Sequence, residues 1–173
     1  SINFMNDKKY SYRGKEYALR NKSFKPYRIK ALKFMNDFNE FESKYTTELQ
    51  GEINSFLFNN KKIQGKVITA KNNGDNEKLN EIIAGALLEN PQYAIKVQRL
   101  ANKKKLATEL FLTTNEKGEP TDENAKELCE IMLENAGEIE HKTETEEEYY
   151  EFLNFLKELF DDFFLKYRLP MNT

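Results

Sequence analysis

The sequence predicts a mainly helical α+β domain: an N-terminal β-hairpin, with room for a third short strand, packed on a bundle of five to seven helices. Three observations carry this. Tyrosines alternate with polar residues around an Arg-Gly-Lys turn near the N-terminus. Apolar residues then recur at spacings of three and four over most of the chain. Only four Pro and seven Gly interrupt 173 residues, which leaves no stretch for a long flexible linker.

Tyr10-Ser11-Tyr12 and Tyr17-Ala18-Leu19 flank Arg13-Gly14-Lys15, and Gly14 supplies the positive φ that a tight hairpin turn requires. On a two-stranded ribbon Tyr10 and Tyr12 share a face, as do Tyr17 and Leu19. A lone hairpin is marginal in water, so one face must rest on helices. Pro26 suits a first helical turn, after which Ile29, Leu32, Met35, Phe38, Phe41 and Tyr45 form an apolar stripe with Phe34 beside it. Leu49, Ile53, Phe56 and Leu57 continue the pattern to about Asn59-Asn60, either as a second helix capped by Thr46 or Thr47 or as the same helix prolonged.

Residues 61–75 are rich in Gly, Asn and Lys, and Ile63, Val67 and Ile68 suggest the third strand, near Lys66 to Thr69. Asp75 or Asn76 opens a helix with Leu79, Ile82, Ile83, Ala86 and Leu87 on one side, and Asn90-Pro91 restarts the chain as N-cap and first-turn proline. Asn115 to Pro120 reads as a surface loop. Thr121 caps a helix through Leu128, Cys129, Met132 and Ala136, with Gly137 at its C-terminal end. The last helix starts at Thr143 or Thr145, carries ten large apolar residues from Tyr149 to Tyr167, and stops before Pro170. This organisation is one domain, 1–173, made of a basic hairpin (1–25), a helical body (26–136) and a C-terminal acidic and aromatic helix (143–169).

Charge is distributed unevenly. Residues 1–33 carry ten Lys/Arg against Asp7 and Glu16, whereas residues 121–164 carry fifteen Asp/Glu against three Lys, so ends of about +8 and −12 lie within a formal total of −2. Charged residues make up 32% and aromatics 13%, and the mean hydropathy is −0.80, the composition of a folded chain with a well-solvated surface. Cys129 is the single cysteine, so no intrachain disulfide forms. The opening residues lack a signal peptide's pattern and no apolar run nears the eighteen residues of a membrane span, which together point to the cytoplasm and away from a membrane.

The inventory of reactive groups argues against catalysis. One His and one Cys, His141 and Cys129, allow a single nucleophile pair without local signature, and no phosphate-binding or nucleophile-elbow motif occurs. Glu138, Glu140 and Lys142 have the spacing of a magnesium-dependent nuclease, but they fall in a linker between helices where such a site calls for a strand. The expectation is therefore no catalytic residue, no metal and no cofactor.

Two stretches are candidates for binding. Lys8, Lys9, Arg13, Lys15, Arg20 and Lys22 form a basic patch around tyrosines, suited to phosphates and bases. Tyr149, Phe152, Phe155, Phe160, Phe164 and Tyr167 give the last helix more apolar surface than one core-facing stripe needs, so part of it is available as anchors for a protein partner.

The segment Lys9-Tyr10-Ser11-Tyr12-Arg13-Gly14-Lys15-Glu16-Tyr17-Ala18-Leu19-Arg20, a brief loop with Ser23-Phe24-Lys25, and the helix from Ile29 to Tyr45 resemble the N-terminus of phage tail assembly chaperones and related small phage morphogenesis proteins. The resemblance covers about a quarter of the chain. It implies a non-enzymatic protein of the host cytoplasm or virion that binds the tape-measure protein or tail-tube subunits, and it brings no catalytic residues with it.

The expected function is thus protein–protein interaction, in viral assembly, with the basic end of one copy able to meet the acidic end of the next in a head-to-tail oligomer. Two alternatives follow from the same charges. The acidic stretch from Glu138 to Glu151 would let the protein mimic nucleic acid and occupy a host defence nuclease, in the manner of anti-CRISPR proteins, or the basic hairpin would bind nucleic acid itself.

Overall fold

The computed structural model describes residues 8–20 and 25–168. Strands β1 (Lys9–Tyr12) and β2 (Lys15–Ala18) form an antiparallel hairpin, followed by helices α1 (Lys25–Asn59), α2 (Gln64–Asn72), α3 (Asn76–Glu89), α4 (Pro91–Thr113), α5 (Glu123–Met132) and α6 (Glu146–Arg168), with a 3₁₀ turn at Ala136–Glu138. This is the mainly α, α+β architecture that the sequence predicts, with six helices. Two compact units make it up: Ser1–Phe41 with Ala107–Thr173, and Glu42–Leu106. Helices α1 and α4 run through both units, so the division falls neither at the end of the hairpin nor before the last helix.

In the first unit the hairpin pairs Tyr10 with Tyr17 and Tyr12 with Lys15 across a two-residue loop, Arg13-Gly14. Both loop residues have positive φ, 48° and 75°, the backbone whose twist matches that of paired strands. Tyr10, Tyr12, Tyr17 and Leu19 are all buried, so one face of the ribbon is wholly inside. They join a core with Phe34, Met35 and Phe38 of α1, Phe111 and Leu112 of α4, Ala125, Leu128, Cys129, Ile131 and Met132 of α5, and Phe152, Phe155, Leu156, Leu159, Phe160 and Phe163 of α6. Aromatic rings dominate it. Phe155 stacks on Tyr12 at 4.7 Å, and Phe38 meets Phe111 and Phe160 edge-on at 5.3 and 4.7 Å, pairings worth roughly 0.5–1.5 kcal/mol each beyond the area they bury.

The stripe on α1 is rotated from the predicted one. Ala31, Phe34, Met35 and Phe38 face the core, while Ile29 and Leu32 are exposed. Two staggered three-and-four repeats overlap in this stretch, and the phase that delivers three aromatic-sized side chains to α4 and α6 prevails. The predicted alternatives at Thr46 and Thr47 resolve as one continuous 35-residue helix. Both hydroxyls donate to carbonyls one turn back, Glu42 and Ser43, and so leave the helix unbroken.

No third strand forms at Lys66 to Thr69; these residues lie in α2. The segment is helical because α2 and α3 form a helical hairpin through Asn73-Gly74-Asp75, with Ala70 and Ala86 buried and Gly74 at φ 66°. Packing of this kind overrides the β preference of Val67, Ile68 and Thr69. Asp75 caps α3 by accepting the Lys78 N–H at 3.0 Å. The backbone that does pair beside β2 is Leu133, which forms an isolated antiparallel bridge with Leu19. The Arg20 N–H donates to the Met132 carbonyl at 2.7 Å and the Glu134 N–H to Ala18 at 3.0 Å. That pairing pulls Leu133 into extended backbone, so α5 ends at Met132 and not at the predicted Gly137. At the start of α6 the cap is Thr145, whose hydroxyl accepts the Glu148 N–H at 3.1 Å.

The second unit is thin by comparison. Its buried residues are Thr46, Ile53, Ala70 and Ala86. The α1 and α4 segments within it meet through a stacked Phe56–Tyr93 pair at 3.9 Å and an ion pair between Lys96 and Glu52 at 3.0 Å. No helix among the described residues is long and apolar enough to cross a membrane.

Candidate functional site

The basic hairpin is bound to the acidic C-terminal segment of the same chain. Lys8 pairs with Asp162 at 2.6 Å and with Glu158 at 3.1 Å, and the hydrogen bond to Asp162 raises the affinity of the ammonium for its proton. The Tyr10 hydroxyl donates to the same Asp162 carboxylate, and burial holds that phenol proton far above its ordinary range. Tyr12 donates to the Glu140 carbonyl at 3.0 Å. Arg13 reaches furthest: its guanidinium donates to the Lys142 carbonyl at 2.9 Å and to Glu148 at 3.0 Å, and its N–H to Glu151 at 3.2 Å. Arg20 donates to the Glu130 carbonyl at 2.6 Å. Lys9 and Lys15 are exposed, and Lys22 lies outside the described residues.

This network changes the meaning of the charged ends. Lys8, Arg13 and Arg20 neutralise carboxylates and helix-end carbonyls inside one unit. Of the acidic row from Glu138 to Glu151, Glu148 and Glu151 are engaged by Arg13. The pairs are partly exposed and individually weak, but together with Tyr10 they fix the register of the hairpin on α6.

The aromatic candidates on α6 serve the same unit. Phe152, Phe155 and Phe160 are buried, which withdraws them as anchors for an outside partner. Phe164 is half-buried against Phe38, Phe160 and Phe163. Tyr149 donates to Glu109 at 3.0 Å. The side chain of Tyr167 lies outside the described residues. The spacing of these rings was visible in the sequence; that the hairpin tyrosines would cover them was not, because nothing local joins residues 140 positions apart.

Cys129 is fully buried, and desolvation pushes its thiol up to about 12. His141 packs edge-on to Phe152 at 5.7 Å, and its Nδ1 has no hydrogen-bond partner among the described residues. Burial lowers its affinity for a proton. The neutral ring is thus favoured on folding. The stability it contributes is present above the ordinary value of 6.5 and is lost as pH falls through the depressed folded value. Urea unfolding between about pH 7 and 5 should show this loss in the wild type, and His141→Phe should remove that component; an unchanged slope would place the ring in solvent. Glu138, Glu140 and Lys142 lie in the linker, where the Lys142 N–H donates to Glu140 at 3.2 Å, and among the described residues no group of three or more His, Cys, Asp or Glu is arranged to hold a metal ion.

The surface that sequence reading missed lies in the second unit. Phe58, Ile68, Leu88, Ile95 and Leu106 are exposed there, Phe58 at 70% and Leu88 at 83%. An open groove of about 620 Å³ runs between the α1 and α4 segments, with Phe56 and Tyr93 among the residues lining it and Glu52 and Lys96 at its charged side. The sequence placed Phe56 on an apolar helical stripe and Ile68 in a strand, and gave Phe58, Leu88 and Ile95 no position of their own. Only the small number of buried residues in the unit marks them out. No protein-family model, no curated protein and no solved structure matches the chain.

Proposed function

We propose that the protein is a non-catalytic interaction protein that binds another protein through residues 42–106, with the hairpin-bearing unit as its scaffold. One observation carries this reading: a 65-residue helical unit that buries four residues and leaves five large apolar side chains in solvent. Exposed large apolar side chains mark a docking surface where they lie together as one patch. The unit carries eleven Lys/Arg against seven Asp/Glu, a net charge of +4 in a chain of net −2, so the fitting partner is a protein with an apolar face and an acidic rim. The assembly role in phage that the N-terminal resemblance implies is one instance of this function.

Site-specific photocrosslinking in the source cell tests it. A photoreactive residue placed at Leu88 or Ile95 should form a discrete adduct with one protein, whereas the same residue at the exposed Lys9 or Lys15 should form none. Adducts confined to the hairpin positions would overturn the assignment.

A further inference from the structure

The helical hairpin of α2 and α3 carries an open cleft of about 520 Å³ that shares no lining residue with the groove between α1 and α4. Lys61, Lys62, Lys66 and Lys78 line it, with the Thr69 hydroxyl and one carboxylate, Asp75. That carboxylate already accepts the Lys78 N–H at 3.0 Å as the cap of α3. The lysines are poorly neutralised. Lys62 and Lys78 reach Glu89 and Glu81 only at 3.9 Å, the outer limit of an ion pair, and among the described residues Lys61 and Lys66 have no carboxylate within that distance. Four lysine side chains at one concave surface place like charges together, a cost that a polyanion in the cleft relieves.

We propose that this cleft binds the phosphate backbone of a nucleic-acid duplex without regard to sequence. The lining residues decide the class. Lysines are point charges that neutralise phosphates, whereas the Thr69 hydroxyl is committed to the Gly65 carbonyl at 2.9 Å. No arginine and no aromatic ring lines the cleft, so bidentate reading of base edges and stacking of unpaired bases both lack their usual side chains. The site is separate from the hairpin patch first suspected of this role, whose Lys8 and Arg13 are held by carboxylates of their own unit. It does not rest on the protein-docking reading, since none of its lysines lines the groove between α1 and α4.

Fluorescence anisotropy with a mixed-sequence DNA duplex of about 20 bp, at about 50 and 200 mM salt, measures it directly. Four phosphate contacts predict an affinity about a hundredfold weaker at the higher salt. Lys61→Gln, Lys62→Gln, Lys66→Gln and Lys78→Gln combined should weaken binding at least about fiftyfold at low salt while helicity by circular dichroism is retained, and Lys9→Glu with Lys15→Glu should leave it unchanged. Three results would overturn the proposal: no binding at low salt, full binding by the fourfold variant, or competition by polyglutamate as effective as by unlabelled duplex. The last would assign the cleft to an acidic protein.

Discussion

Phe155→Ala is expected to lower the stability of the folded chain by about 3–5 kcal/mol, read as a fall in the urea midpoint at unchanged slope. Phe155 is 4% exposed, stacks on Tyr12 at 4.7 Å and lies 6.0 Å from Tyr17, so truncation opens a cavity between α6 and the hairpin that neither element can close alone. The size of the effect discriminates between two roles for the aromatic helix. If Phe155 were an anchor for an outside partner, alanine would cost well under 1 kcal/mol in the free protein and act on binding instead. The same logic extends to Phe152 and Phe160, whereas Phe164 at the edge of the core should cost less.

The second large effect belongs to the other unit. Phe58→Glu, Leu88→Glu and Ile95→Glu combined should leave the unfolding midpoint nearly unchanged, because all three side chains already face solvent. Binding to the crosslinked partner should fall at least about a hundredfold, since each carboxylate brought against an apolar surface loses hydration without gaining a counter-charge. A variant that binds as the wild type does would remove these residues from the interface, and one that unfolds would place them in a core.

Local chemistry made much of this fold legible. Arg13-Gly14 between alternating tyrosines specified the hairpin, Asn90-Pro91 specified a helix restart, and the recurrence from Phe152 to Phe163 specified a helix with a heavy apolar face. What the sequence concealed was decided at long range. Leu133 is extended because it meets Leu19, and Lys66 to Thr69 are helical because Ala70 packs in the α2–α3 hairpin. The phase of α1 depended on which of two overlapping stripes met Phe111 and Phe160.

The candidate sites follow the same division. The two charged ends were the most conspicuous feature of the chain, and they proved to be each other's partners: Lys8 with Glu158 and Asp162, Arg13 with Glu148. A head-to-tail oligomer built on those same pairs would have to break them first. Lys61 and Lys62 were read as part of a Gly-, Asn- and Lys-rich segment, Lys66 as the start of a strand and Lys78 as a residue of the next helix, since a cleft exists only once α2 and α3 fold against each other.

Amide hydrogen exchange of the full chain, with and without the partner that crosslinks to it, separates docking on residues 42–106 from docking on the hairpin and last helix. Slowed exchange is expected in residues 42–59 and 76–106 on binding, with no change in the hairpin or in residues 146–165. Protection confined to the hairpin and the last helix, with residues 42–106 exchanging as in the free protein, would contradict docking on that unit.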